Sequence, residues 1–235
     1  MHRRCGFRYE KKLRATGLAR IAGIDEAGRG ALAGPVVAAA VVLPEKFRHR
    51  RLNDSKQLAP ELREEIYSEL VSNPEVRWTV GMIDSTEIDR INILRASHRA
   101  MRLAISALID PPEHVLIDGL PVIPFPVPQT AIVDGDCISL SIAAASVIAK
   151  VTRDRLMSAL ALDCPGYGFE SHKGYAVPEH REALDRLGPS IHHRRFFAPV
   201  IAARLKHFPE TVEETVEPDL FTVEGEITSE ISATI

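Results

Sequence analysis

Two short apolar segments of this chain end on an acid beside glycine, and no other feature constrains the fold as strongly. Arg20-Ile-Ala-Gly-Ile-Asp25 runs into Glu26 and then Gly28-Arg29-Gly30, and His114-Val-Leu-Ile-Asp118 runs into Gly119. A further acid, Asp136, lies in Asp134-Gly135-Asp136, between a strand-like run from Gln129 to Val133 and a helical one. Acids at strand ends beside glycine mark the carboxyl edge of a sheet, where α/β folds present their ligand sites. Asp-Gly is also ordinary turn chemistry, and Asp136 can be read as a helix cap. Any one of these acids alone reads as a turn; together, with one of them a tandem Asp-Glu, they read as a site.

The remaining pattern supplies the rest of such a sheet. Gly34 to Leu43 is a second apolar run joined to the first through the glycine turn, which predicts a hairpin. Leu58 to Val71 reads as a surface helix and Val76 to Ile83 as a third strand. Capping residues at Asp84 to Glu87 open one long helix expected to reach Leu108 before Pro111-Pro112. Leu140 to Leu162 reads as a helix whose Ala143, Ala144, Ala145 and Ser146 allow it to lie close on a sheet. Tyr167 to Tyr175 reads as a loop, followed by a helix between Pro178 and Gly188 and a last one over Ala198 to His207. The expected class is α/β, a mixed sheet of about five strands flanked by helices, with a C-terminal helical region. The expected division is a basic leader over 1–19, a main folded domain over 20–208 that carries the acids, and an acidic tail over 209–235. The leader has little apolar periodicity before Leu18, so ordered structure is expected from Arg20, and the tail is too poor in apolar residues to order itself.

Four carboxylates, Asp25, Glu26, Asp118 and Asp136, cannot all stay ionised side by side without a cation. A ligand set made only of oxygen points to Mg²⁺ or Mn²⁺ rather than zinc. A carboxylate-held pair of such ions is the apparatus of in-line displacement at phosphorus. A D-x-D-x-D-G calcium loop is absent. Gly28, Gly30 and Gly34 have the spacing G-x-G-x-x-x-G, one residue too long for a dinucleotide fingerprint, and no G-K-[ST] occurs, which excludes a P-loop. The glycine turn instead suits close approach of backbone to a ligand, with Arg29 offering a fork of donors.

At Ile24-Asp25-Glu26-Ala27-Gly28-Arg29-Gly30, with Ala33-Gly34-Pro35-Val36-Val37, the sequence resembles ribonuclease HII, the bacterial type 2 ribonuclease H. The resemblance continues through Asn53-Asp54-Ser55-Lys56, Ile117-Asp118-Gly119, Gly135-Asp136, Ser146 to Asp154 and Tyr167-Gly-Phe-Glu-Ser-His172-Lys173-Gly174-Tyr175, covering about residues 20–200 in the family's order. The Gly-Arg-Gly form separates it from ribonuclease HIII. The resemblance implies a ribonuclease H-like fold that cuts RNA in RNA–DNA hybrids and 5′ of single ribonucleotides embedded in duplex DNA. It implies that Asp25, Glu26, Asp118 and Asp136 are the metal-binding, catalytic acids. It also implies that Gly28, Arg29 and Gly30 read the ribose 2′-hydroxyl with Tyr175 stacked beside it, in keeping with the 2′-hydroxyl being what separates RNA from DNA. Lys56, Lys150, Arg153, Lys173 and the Arg194-Arg195 pair are candidate phosphate contacts, each also readable as a solvated charge. Asp154 is a weaker candidate acid, because about five helical turns separate it from Asp136 and pairing with Lys150 is as good a reading. His192 and His193 carry no metal spacing and are assigned no role.

The net charge of −3 over 235 residues does not by itself point to a polyanionic partner. Residues 1–20, however, hold seven Lys/Arg against one Glu, and 209–235 hold eight acids and no Lys/Arg. Without that tail the chain has 29 basic against 24 acidic residues. Cys5, Cys137 and Cys164 form no C-x-x-C pair and leave one over, so a reducing cytoplasm is expected. The longest apolar run, Ala31 to Leu43, is too short for a bilayer, and neither a membrane nor secretion is expected. A monomer is expected. Two alternatives stand beside this reading: another metal-dependent nuclease of the same fold, and a hybrid-binding protein that does not cut.

Overall fold

The computed structural model describes residues 5–209; residues 1–4 and the acidic tail from residue 210 onward lie outside the described residues. In chain order the elements are α1 (Arg8–Arg14), β1 (Ile21–Ala27), β2 (Val36–Val42), α2 (Pro60–Ser72), β3 (Arg77–Ile83), α3 (Ser85–Ile91), α4 (Ile93–Ser106), β4 (His114–Asp118), β5 (Gln129–Ile132), α5 (Leu140–Asp163), α6 (Phe169–His172), α7 (Pro178–Leu187) and α8 (Ala198–His207). The strands form one mixed sheet in the order β3-β2-β1-β4-β5. β1 pairs antiparallel with β2 and parallel with β4, so the expected hairpin and the expected sheet are both present.

Helices cover both faces of the sheet, which is why its central strands read as near-continuous apolar runs. α5 and α2 pack on one face, around Ala39, Val41, Ala144 and Ile148. α4 packs on the other, around Ala38, Ala40, Ala100 and Ala104. Small residues set the spacing. A Cβ on Gly23 would lie 2.1 Å from the Ser141 carbonyl carbon, so α5 rests directly on the β1 backbone. A Cβ on Gly81 would likewise lie 2.2 Å from the Ala100 carbonyl oxygen in α4.

Two expectations are corrected. The single helix expected from Asp84 to Leu108 is two, α3 and α4, broken at Asn92. Asn92 adopts φ +66°, and its side-chain oxygen accepts the Arg95 N–H at 3.0 Å, so one residue ends the first helix and caps the second. Asparagine tolerates that backbone region better than most residues, and the apolar stripe gave no sign of the break. Ordered structure also begins before Arg20. Phe7 is buried in the α5-side core, and Tyr9, Leu13 and Leu18 pack against Ile21, Leu116, Ile132 and Ile142. Those residues are too sparse for a periodic signal; contact with the sheet orders them. Among the described residues no helix is long and apolar enough to cross a membrane.

Candidate active site

In the parallel ladder Ile24 pairs with Ile117, so the next residues, Asp25 and Asp118, leave the sheet side by side at its carboxyl edge. Strand alternation puts both on the face covered by α5. Asp136 arrives from a single 3-10 turn, Gly135–Cys137, just before α5. The Asp118 carboxylate accepts the Gly135 N–H at 2.7 Å, which ties that turn to the sheet edge. Carboxylate oxygens of Asp25, Asp118 and Asp136 lie within 4.8 Å of one another. Glu26 points to the other face of β1 and accepts from the Arg29 guanidinium at 3.2 Å, so it stands at the rim of the trio.

The three aspartates are poorly solvated and close to like charges. Burial pushes Asp25 well above the usual carboxylate range, and Glu26 and Asp118 add to the rise. Burial also raises Asp118. Burial, with Asp118 and Asp54, pushes Asp136 up to about 6. Lys56 has its ammonium 3.9 Å from Asp136, a single exposed positive charge against three acids. An oxygen-only set in this condition fits divalent cations, whose charge would restore all three to the ionised form.

Glu26, Gly28, Arg29, Gly30, Lys56, Lys150, Lys173 and Tyr175 border one cleft of about 650 Å³. Tyr175 is half-buried, with Lys150 Nζ and the Arg153 guanidinium carbon each 5.2 Å from its ring centre. Lys173 is less free than expected, since its ammonium donates to Ser158 Oγ at 2.7 Å and to the Glu170 carbonyl at 2.6 Å. Asp154 takes the bland reading: it pairs with Lys150 at 2.8 Å and Arg63 at 3.7 Å.

Two candidate phosphate contacts are buried instead. Arg194 is fully buried and donates to the carbonyls of Gly28 at 2.7 Å, Arg29 at 2.9 Å and Gly34 at 3.0 Å. Arg153, also fully buried, donates to Ala33, Pro35 and Lys173 carbonyls at 3.1, 2.9 and 3.0 Å. Gly28 has φ +95°, and a Cβ there would fall 2.0 Å from Arg153 Nε. The Gly-Arg-Gly turn thus has its Gly28 and Arg29 carbonyls turned inward onto the Arg194 fork, with Arg29 and Gly30 exposed to the cleft.

Behind Tyr175 runs a chain of neutral imidazoles. Ser190 N–H donates to His193 Nδ1 at 2.9 Å, which makes His193 Nε2 the protonated nitrogen. His193 Nε2 then donates to His180 Nε2 at 3.0 Å, and His180 Nδ1 donates to the Tyr175 carbonyl at 2.9 Å. An added proton on either ring would set donor against donor. Burial holds His180 down at about 4 and His193 at about 3. The unfolded chain protonates near pH 6.5, so this contribution to stability is complete above that pH and is lost as pH falls towards 4 and then 3. The site acids run the opposite way, so the measurement is a difference. The stability gap between the native chain and H193N is expected to shrink below pH 6.5, by up to about 1.4 kcal/mol per pH unit. A gap that stays constant in urea titrations from pH 7.5 to 4.5 contradicts it.

Reading residues one by one missed Asp54, whose carboxylate lies within 4.8 Å of ligand atoms of Asp136 and Cys137. It stands in the Asn53-Asp54-Ser55-Lys56 segment that carried the resemblance, but it ends no strand.

The family description "Ribonuclease HII" matches residues 22–200. The chain belongs to the ribonuclease HII family. A ribonuclease HII of Bradyrhizobium sp. (strain ORS 278) is 54% identical over 223 residues, covering 95% of this chain and 79% of that protein. That of Bradyrhizobium diazoefficiens is 52% identical over 233 residues, covering 99% and 88%. Among solved structures, the ribonuclease H2 of Pyrococcus horikoshii OT3 superposes with a TM-score of 0.64 at 28% identity, covering 80% of this chain and 98% of that one. The fold is therefore that of type 2 ribonucleases H, and the chain is an endoribonuclease with ribonuclease H activity on RNA–DNA hybrids. Ribonuclease HII is metal-dependent, and the aspartate trio is a carboxylate cluster suited to that need.

Proposed function

We propose that this ribonuclease HII hydrolyses the RNA strand of RNA–DNA hybrids and also nicks duplex DNA 5′ of a single embedded ribonucleotide, using two divalent ions, Mg²⁺ or Mn²⁺. The observation that supports it is the shared cleft, in which the Gly28-Arg29-Gly30 turn and Tyr175 stand beside Glu26 at the edge of the acid cluster. Asp25, Asp118 and Asp136, with Glu26 at the rim, would hold the ions. Cations held by these acids would supply activation of the attacking water and stabilisation of the leaving 3′-oxygen. Water adds to phosphorus, the bond to the 3′-oxygen breaks, and the products are a 3′-hydroxyl and a 5′-phosphate.

The protein's own part is selection and alignment. Gly28 and Gly30 let the backbone approach the sugar, where the 2′-hydroxyl distinguishes RNA. The Tyr175 ring offers an apolar wall against which that sugar packs. Lys56 and Lys150, and Arg29 at the exposed turn, supply positive charge for the backbone phosphates. The enzyme is proposed to act as a cytoplasmic monomer in repair of ribonucleotides left in DNA. The test is cleavage of a duplex with one ribonucleotide, with Mg²⁺ and Mn²⁺ compared. A single nick on the 5′ side of the ribonucleotide is expected with either ion and none with chelator. Cleavage of a long hybrid without any nick in that duplex would overturn the proposal.

A further inference from the structure

The segment from Cys5 to Glu10 makes five hydrogen bonds with residues 136–141, the loop that delivers Asp136 and the start of α5. Cys5 Sγ donates to the Asp136 carbonyl at 3.0 Å. Gly6 N–H donates to the Ile138 carbonyl at 3.0 Å, and Leu140 N–H donates to the Gly6 carbonyl at 3.2 Å. One oxygen of Glu10 accepts from the Ser139 hydroxyl at 2.6 Å and from Ser141 N–H at 3.1 Å. Glu10 is fully buried, and its other oxygen has no hydrogen-bond partner among the described residues. A fully buried carboxylate is expensive, and this one lies at the N-terminal end of the 24-residue α5, where exposed N–H groups and the helix dipole favour negative charge. Ser139 in turn caps α5 by accepting the Ile142 N–H at 3.2 Å.

We propose that this segment, outside the 22–200 stretch that carries the family match, is a positioning element for the metal site, with Glu10 as its fixed point. Its argument rests on the reading of Asp136 as a metal ligand. Asp136 belongs to a three-residue turn with no regular pairing of its own, so its distance from Asp25 and Asp118 depends on what grips that turn. The sheet edge grips one side through Asp118 and Gly135. Residues 5–10 grip the other, and they are anchored in turn by buried Phe7 and by Arg14, which donates to the Leu43 carbonyl at 3.1 Å.

The experiment is calorimetric titration of the full chain with Mn²⁺, alongside kcat and KM on a hybrid and the metal-free unfolding midpoint. E10A is expected to weaken Mn²⁺ binding roughly tenfold and to lower kcat at subsaturating metal, with KM for the hybrid unchanged. E10Q keeps an oxygen able to accept both bonds and is expected to recover most of that loss. Should E10A not fold, C5A removes the thiol's bonds to the Asp136 carbonyl and to Asn53 Oδ1 while leaving Glu10 in place, and is expected to weaken Mn²⁺ binding by roughly threefold to fivefold. Unchanged Mn²⁺ affinity in both E10A and C5A, or E10Q as impaired as E10A, overturns the proposal. D136N serves as reference: if it binds Mn²⁺ as the native chain does, the reading of Asp136 as a ligand fails first, separately from the grip.

Discussion

Replacing Asp25 with Asn is expected to abolish cleavage of RNA–DNA hybrids while making the metal-free protein more stable. Asp25 is 4% exposed, sits in the centre of the sheet edge and has its carboxyl raised by burial first and by neighbouring acids second. An amide keeps the shape and removes the charge. The loss of rate should be on the order of a thousandfold or more, as when a group that stabilises developing charge is removed from a preorganised site. The gain in stability follows from the same fact, because the native trio holds its acids together against repulsion and desolvation. Each kcal/mol relieved should raise the metal-free midpoint by roughly 2–4 °C. Saturating Mg²⁺ should reverse the order, since the native chain binds ions that D25N cannot. Both halves can be read by thermal unfolding with and without Mg²⁺ and by hybrid cleavage. A variant that cuts at more than about a hundredth of the native rate would remove Asp25 from the proposed site.

The second large effect is expected at Arg194, a residue that never meets solvent. R194K preserves charge but not the fork that serves Gly28, Arg29 and Gly34 together. Lysine is a point donor and leaves buried carbonyls unpaired, so a cost of about 3–5 kcal/mol is expected. The unfolding midpoint should fall by roughly 10 °C. At temperatures where R194K is still folded, cleavage should remain slower by up to about a hundredfold, because the Gly-Arg-Gly turn is displaced from the acids. R195A is the contrast: the Arg195 side chain is exposed, and it is its backbone N–H that donates to Asp89, at 3.0 Å. It should leave the unfolding midpoint unchanged. Native-like stability and rate in R194K would mean the turn holds its shape without the fork.

The sheet and its acids were legible because they follow local rules. Apolar runs ending on Asp25 and Asp118 are visible residue by residue, and the parallel register that brings them level follows once both lie on strands. The small residues of α5 announced its close seat on β1. The break at Asn92 was hidden because the apolar stripe continues through it, and only the backbone reveals the turn. Arg153 and Arg194 looked like surface charge because a lone arginine gives no sign of whether carbonyls or phosphates will face it. Glu10 looked like one acid in a basic leader, because its partners Ser139 and Ser141 lie some 130 positions away.

The carbonyl-filled arginine forks also bear on when the enzyme becomes competent. All four proposed acids have been made once residue 136 is synthesised, yet the Gly-Arg-Gly turn is not fastened until residue 194. At about 5–20 residues per second, a growing chain passes several seconds with its acids complete and its turn unheld. The order of the chain thus places the proposed metal ligands well ahead of the arginine that fastens the Gly-Arg-Gly turn.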